Sequence, residues 1–154
     1  MMSDKKTELA VAALAAGTVI DHIPSAALFK VVHILGIEHM SNGVTIGNNL
    51  PSRRLNRKGI IKIESVEFDR ATLDRIAVVA PTATVNIIRN YQVASKTKVE
   101  LPETLINTVA CPNPKCITNN EPMKTRFDVI DAEGPVLICH YCGRTVCGDK
   151  ARII

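Results

Sequence analysis

The sequence predicts an α+β chain in two unequal parts, divided near residue 100. Three observations predict it. Before residue 100, short β-branched runs alternate with two helically spaced apolar stripes. All five cysteines, Cys111, Cys116, Cys139, Cys142 and Cys147, lie after residue 110. The formal charge of +4 also belongs wholly to the first part, with 13 Lys and Arg against 9 Asp and Glu in residues 1–100 and 6 against 6 in residues 101–154. At 154 residues and 46% hydrophobic, the chain is one ordinary domain or two small ones, and too apolar for disorder.

The elements of the first part follow in order. Glu8 to Ala16 is Ala-rich and reads as a helix or as an arm along the sheet. Thr18 to Ile23 is β-branched after Gly17 and reads as a strand. Pro24 and Ser25 open a helix whose stripe is Ala27, Leu28, Val31, Val32, Ile34 and Leu35, with Gly36 just past its end. Val44 to Ile46 is a short strand, and Asn48 to Gly59 a polar, basic loop. Ile60 to Glu64 is a third strand. Asp69 caps a second helix, with Leu73, Ile76, Ala77 and Ala80 buried and Pro81 ending it. Thr84 to Ile88 and Tyr91 to Val93 form the last strand or strand pair. Strand, helix, strand, strand, helix, strand is the ferredoxin-like split βαβ arrangement: a four-stranded antiparallel sheet with both helices on one face. Its other face must be covered or paired, which points to self-association.

Leu101-Pro102-Glu103-Thr104 reads as the turn between the parts. Beyond it, Cys111-Pro-Asn-Pro-Lys-Cys116 and Cys139-His-Tyr-Cys142 are two close thiol pairs. Two such knuckles can present four thiolates tetrahedrally to one Zn²⁺ ion. Two disulfides would need an oxidising compartment, and no export signal is visible. Four thiolates close the shell, so the ion is structural. A part of about 50 residues buries too little core to fold alone, and metal binding then supplies much of its folding energy. The second part is thus a small β-rich zinc-binding domain, with strands at Thr104 to Ala110, Arg126 to Ile130 and Pro135 to Cys139. His140 reads as a surface residue and Cys147 as a small buried apolar one.

Several classes are excluded or disfavoured. No apolar window reaches the roughly 18 residues of a membrane helix, and the cytoplasm is the default location. No dinucleotide or phosphate-loop motif occurs among the eight glycines. Aromatics at 3% argue against base stacking. Arg53, Arg54, Arg57, Lys58 and Lys62 form a basic stretch suited either to a phosphate-bearing ligand or to plain solvation. A zinc-ribbon nucleic-acid binder using that stretch, and a small enzyme using Asp21 and His22 as acid and base, are the competing readings.

Gly17-Thr-Val-Ile-Asp-His-Ile-Pro24, Asn49-Leu-Pro-Ser52, Ile61-Lys-Ile-Glu64, Ala80-Pro-Thr-Ala-Thr-Val-Asn86, Asn90-Tyr91 and Cys111-Pro-Asn-Pro-Lys-Cys-Ile117 occur in this order. Together they closely resemble the regulatory chains of aspartate carbamoyltransferase, from about Gly17 to Cys142. The resemblance implies a non-catalytic, cytoplasmic subunit of pyrimidine biosynthesis that binds nucleoside triphosphates, CTP and ATP, and no nucleic acid or membrane. It implies homodimers, three of which join two trimers of the catalytic chain into a dodecamer, with the zinc domain docking on that chain. By position, Asp21 would hold the ribose and Lys62 the sugar or base. His22 and Lys96 would meet the phosphates, and Asn86 and Ile88 would line the pocket. Tyr91 and Val93 would offer backbone groups to the base, where Val11, Ala13 and Leu14 of the N-terminal arm also reach. Cys111, Cys116, Cys139 and Cys142 fall on the zinc ligands, one ion per chain.

Overall fold

The computed structural model describes residues 14–154. Val11, Ala13 and most of the Ala-rich segment lie outside the described residues. Eleven strands and two α-helices make a mixed α+β fold among the described residues. They fall into two compact units. The first comprises the residues up to Asp69 with Thr82–Val99, and the second Arg70–Pro81 with Glu100–Ile154. Compactness thus groups the second helix, which the chain order places before residue 100, with the C-terminal residues.

The first unit is a five-stranded antiparallel sheet of order β2-β3-β1-β4-β5. Its strands are β1 (Gly17–Pro24), β2 (Val44–Ser52), β3 (Asn56–Glu64), β4 (Thr84–Arg89) and β5 (Gln92–Lys98). The first four take the split βαβ order, and β5 adds a fifth strand at the β4 edge. The two strands read as one strand or a pair are a pair. They turn at Asn90 and Tyr91, both at positive φ (52° and 63°), as a tight hairpin whose twist suits the sheet requires.

Helix α1 (Leu28–Leu35) follows a 3₁₀ turn over Ser25–Ala27. It buries Leu28, Val31 and Leu35, with Leu28 over Gly59 of β3. Gly36 ends it in the left-handed region at φ 66°, as its position past the stripe required.

The expected loop over Asn48 to Gly59 is mostly strand. β2 extends to Ser52 and β3 begins at Asn56, so only Arg53 to Leu55 turn. Polar composition concealed this because β2 is an edge. There Pro51 needs no ladder donor, and a register shift between Gly47 and Leu50 accommodates Asn49 at φ 55°.

The second unit contains helix α2 (Arg70–Val79), with Ile76 to Val79 buried. Its main sheet has the order β10-β9-β8-β6, and a separate pair joins β11 to β7. These are β6 (Thr104–Ile106), β7 (Val109–Ala110), β8 (Arg126–Asp131), β9 (Val136–Cys139), β10 (Thr145–Cys147) and β11 (Arg152–Ile153). The single strand expected from Thr104 to Ala110 is two, broken by Asn107 at φ 54° and assigned to different sheets. Phe127, Leu105, Leu137 and Val109 are buried in this unit, as are Ile76 to Ala80 in and just after α2, a small core in all.

Within this unit the backbone at Gly148 lies against α2. A Cβ there would run into the Val78 carbonyl oxygen and come within 2.9 Å of Pro135 Cβ. The Gly148 N–H donates to the Pro135 carbonyl at 2.8 Å, and Arg75 Nε donates to the Ile154 carbonyl at 3.0 Å. The close approach therefore admits only glycine. We expect Gly148→Ala to destabilise the metal-loaded chain by about 1–3 kcal/mol in denaturant unfolding. Gly134→Ala, where nothing lies within 4 Å, should stay within about 0.5 kcal/mol of the parent.

Candidate functional site

Residues paired directly across a sheet project to the same face. Thr45, Lys62, Val19, Asn86 and Lys96 are such a row, running from β2 through β3, β1 and β4 to β5. Two residues along β1 in either direction, Gly17 aligns with Ile88, and Asp21 with Thr84 and then Lys98. Ile88 in turn opposes Val93. The sequence-predicted Asp21, Lys62, Asn86, Ile88, Val93 and Lys96 therefore share one sheet face. Leu14 joins them, buried in a cluster with Val19 and Ile88 against which Ile60 packs. The centre of the face is apolar and its margins are cationic.

β1 changes character at Asp21 and His22. The register with β3 shifts between Ile20 and Ile23, a bulge, with His22 at φ 56°. Asp21 Oδ1 accepts the His22 N–H at 2.6 Å. Lys58 Nζ lies 2.9 Å from Asp21 Oδ1 and 3.2 Å from Oδ2. The two side chains are only 11% and 15% exposed, so this is a largely buried, charge-assisted pair. Asp21 expected a ribose; its carboxylate already holds Lys58, and Oδ2 keeps the remaining acceptor capacity. The Lys58 contact went unforeseen because the residue read as one more charge in a basic run. Its signal was the register: Lys58 pairs with Pro24, where β1 leaves the bulge.

The His22 ring is fixed by Nδ1, 3.0 Å from Thr84 Oγ1, and its carbonyl accepts from Thr82 Oγ1 at 2.9 Å. Burial holds the imidazole below its usual pKa, with Lys58, Arg54 and Lys96 adding repulsion and Asp21 opposing. Tyr91 stands at the β4–β5 turn with its side chain exposed, and its N–H already donates to the Ala15 carbonyl at 3.0 Å.

In the second unit, the Sγ atoms of Cys111, Cys116, Cys139 and Cys142 all lie within 4.8 Å of one another. Cys111 and Cys142 are 3.5 Å apart, and Cys116 and Cys139 3.8 Å. A tetrahedral Zn²⁺ with Zn–S bonds of about 2.3 Å needs edges of about 3.8 Å, so the donor set fits. These separations are far beyond a disulfide's roughly 2.0 Å bond, and all five cysteines are free.

The knuckle backbones turn their donors onto the sulfurs. Burial pushes the Cys111 thiol up to about 12. The Arg144 N–H brings Cys142 down to about 6. Burial raises Cys116, but the Thr118 hydroxyl, at 3.2 Å, and its N–H outweigh this and leave that thiol lowered. To hold a Zn²⁺ ion, Cys111, Cys116, Cys139 and Cys142 would all have to be thiolates, their protons released on binding.

Cys147, expected buried, is exposed on β10, where side chains of an edge strand alternate outward, and it is outside the cluster. His140 is a surface residue, 3.9 Å from Asp128.

The fold and the thiol cluster define a class: a chain with a split βαβ domain followed by a closed metal-binding domain. Residues 9–100 match the family model of the aspartate carbamoyltransferase regulatory chain, allosteric domain, and residues 103–152 that of its metal binding domain. The chain is 52% identical over 150 residues to the aspartate carbamoyltransferase regulatory chain of Porphyromonas gingivalis, covering 97% of this chain and 99% of that one. It is 56% identical over 141 residues to that of Bacteroides fragilis, covering 92% of each. With that of Pyrococcus horikoshii it shares 50% over 141 residues, 90% of this chain and 93% of the other. The chain belongs to the family of aspartate carbamoyltransferase regulatory chains, the non-catalytic subunits of that enzyme. No helix among the described residues is long and apolar enough to cross a membrane.

The His22 environment has a measurable consequence. Its folded pKa lies below the ordinary 6.5. Its contribution to stability is therefore complete above that value and is lost as pH falls through the lowered one. An NMR titration should place the imidazole midpoint below 6.5. Lys96→Ala removes one repelling cation and should move the midpoint upward.

Proposed function

We infer that residues 1–100 bind a nucleoside triphosphate, CTP or ATP, as an allosteric effector. Residues 101–154, closed by one zinc ion, dock on the catalytic chain and carry feedback control of pyrimidine biosynthesis to it in the cytoplasm. One observation supports this reading above others: the single row Lys62, Val19, Asn86, Lys96. Its two lysines are three strand spacings apart, about 14 Å. That separation sets them at opposite ends of a ligand rather than around one phosphate. Between them lie an apolar surface, formed by Leu14, Val19 and Ile88, and the Asn86 amide. Such a face suits a base and sugar near Lys62 and a polyphosphate near Lys96, with His22 and Lys98 on the same side. Lys58, fixed by Asp21, adds a cation whose position is set before the ligand arrives. Asp21 Oδ2 remains able to accept one ribose hydroxyl.

Homodimer formation fits the sheet edges. β5 is an edge strand protected by Lys96 and Lys98, whereas β2 carries no charge from Val44 to Ser52 and leaves Ile46 41% exposed. We assign the dimer contact to β2, and three such dimers joined to two catalytic trimers give the dodecamer.

Two experiments test the division of labour. Lys96→Ala should weaken triphosphate binding strongly in calorimetry while leaving nucleoside binding nearly unchanged; equal losses for both ligands would remove Lys96 from the phosphates. Cys111→Ser, or a thiol reagent that ejects the metal, should release active but effector-insensitive catalytic trimers, with the regulatory dimer still binding nucleotide. An assembly that remained intact and responsive after metal analysis showed zinc had left would refute the docking role.

A further inference from the structure

We propose that His33, Glu38 and His39 form a second divalent-metal site, in the first unit and separate from the four thiols, that takes a borderline transition ion such as Zn²⁺. The local backbone builds it. α1 ends at Leu35, and Gly36 in the left-handed region reverses the chain, its N–H donating to the His33 carbonyl at 3.1 Å. A 3₁₀ turn over Ile37–His39 follows, with the His39 N–H on the Gly36 carbonyl at 3.0 Å and the Met40 N–H on the Ile37 carbonyl at 3.0 Å. This reversal folds Glu38 back against the last turn of the helix. One carboxylate oxygen, Glu38 Oε1, is 3.7 Å from His33 Nδ1 and 3.7 Å from His39 Nε2.

Two ion pairs would be the ordinary reading of that geometry. A divalent ion competes with the proton for those same ring nitrogens. Both ring nitrogens stand at the same distance from the one carboxylate oxygen. Two imidazoles and a carboxylate are a donor set for Zn²⁺, Ni²⁺ and Cu²⁺. Zinc bonds of about 2.0–2.1 Å ask for donor separations of about 3.3 Å, so the rings must turn inward around the shared oxygen. Their side chains are 86% and 82% exposed, and no packing opposes that rotation. The backbone hydrogen bonds of the reversal hold the three Cα positions meanwhile. Three protein donors leave the remaining coordination to water, so the site is weaker and more labile than the thiol cluster.

The test uses the full chain with its thiol cluster already zinc-loaded, titrated with Zn²⁺ at pH 7.5 and followed by calorimetry and metal analysis. The wild-type chain should take up one further equivalent. His33→Ala and His39→Ala should each abolish it, and Glu38→Gln should weaken it. Cys147→Ser, which removes an exposed thiol of the second unit, should leave it unchanged. Because all three residues lie on the surface, circular dichroism should show the variants folded. Absence of a second equivalent in the wild-type chain overturns the proposal, as does a second equivalent that survives both histidine substitutions.

Discussion

The register of β1 is the constraint on which the first unit depends. β1 is the middle strand, bonded to β3 on one side and β4 on the other, and Val19, Ile20 and Ile23 within it are fully buried. A slip of one residue would send Val19 and Asp21 to the opposite face and break the alignment of Lys62, Asn86 and Lys96. Thr18 helps fix it: its hydroxyl donates to the Val66 carbonyl at 2.6 Å. Gly17 also contributes, because at φ 143° its missing Cβ lets the Ile63 carbonyl approach. Residues scattered over eighty positions of sequence thereby become one surface.

The bulge is where that regular strand is given up for chemistry. Ordinary alternation would point Asp21 and His22 to opposite faces. With His22 in the left-handed region, the Asp21 carboxylate instead caps the His22 amide and reaches Lys58, while the ring reaches Thr84. Backbone strain of this kind costs about 1–3 kcal/mol and persists where the surroundings over-determine it. Four hydrogen bonds hold this one: two to the Asp21 carboxylate, one to the ring and one to the His22 carbonyl.

Much of this was legible in the sequence because the signals were local. The α1 stripe, the Gly36 stop and the two thiol knuckles each lie within a dozen residues, and each maps onto the same element in three dimensions. The failures share a cause as well. The β2–β3 hairpin was hidden because polar Asn48, Asn49 and Ser52 are cheap on an edge strand, where composition says loop. Thr104 to Ala110 read as one strand because nothing marks Asn107 as a break until its positive φ is seen. Cys147 read as buried because thiols usually are, but β10 is an edge. The Asp21–Lys58 pair joins residues 37 apart and exists only once β1 and β3 are in register. Of the residues proposed for the effector site, Val11 and Ala13 lie outside the described residues, whereas Leu14 packs with Val19 and Ile88.

The buried Asp21–Lys58 pair bears on why such a face would be built this way. Desolvating two charges often cancels their attraction, so a buried ion pair is a poor device for stability. It is a good device for position. An exposed lysine gives up about 2 kcal/mol of rotamer entropy when a ligand fixes it, and Lys58 has already lost that freedom on folding. Lys96, on an exposed edge strand, has not. The face therefore combines a preset cation, Lys58, with a more exposed one, Lys96. β5, β4 and β1 are hydrogen-bonded in series, with β3 beyond β1. Those strands continue into the second unit by three chain connections, at Asp69–Arg70, Pro81–Thr82 and Val99–Glu100. In the proposed effector role, a ligand that orders β5 would act on a chain that crosses between the units three times, the last crossing following β5 by a single residue.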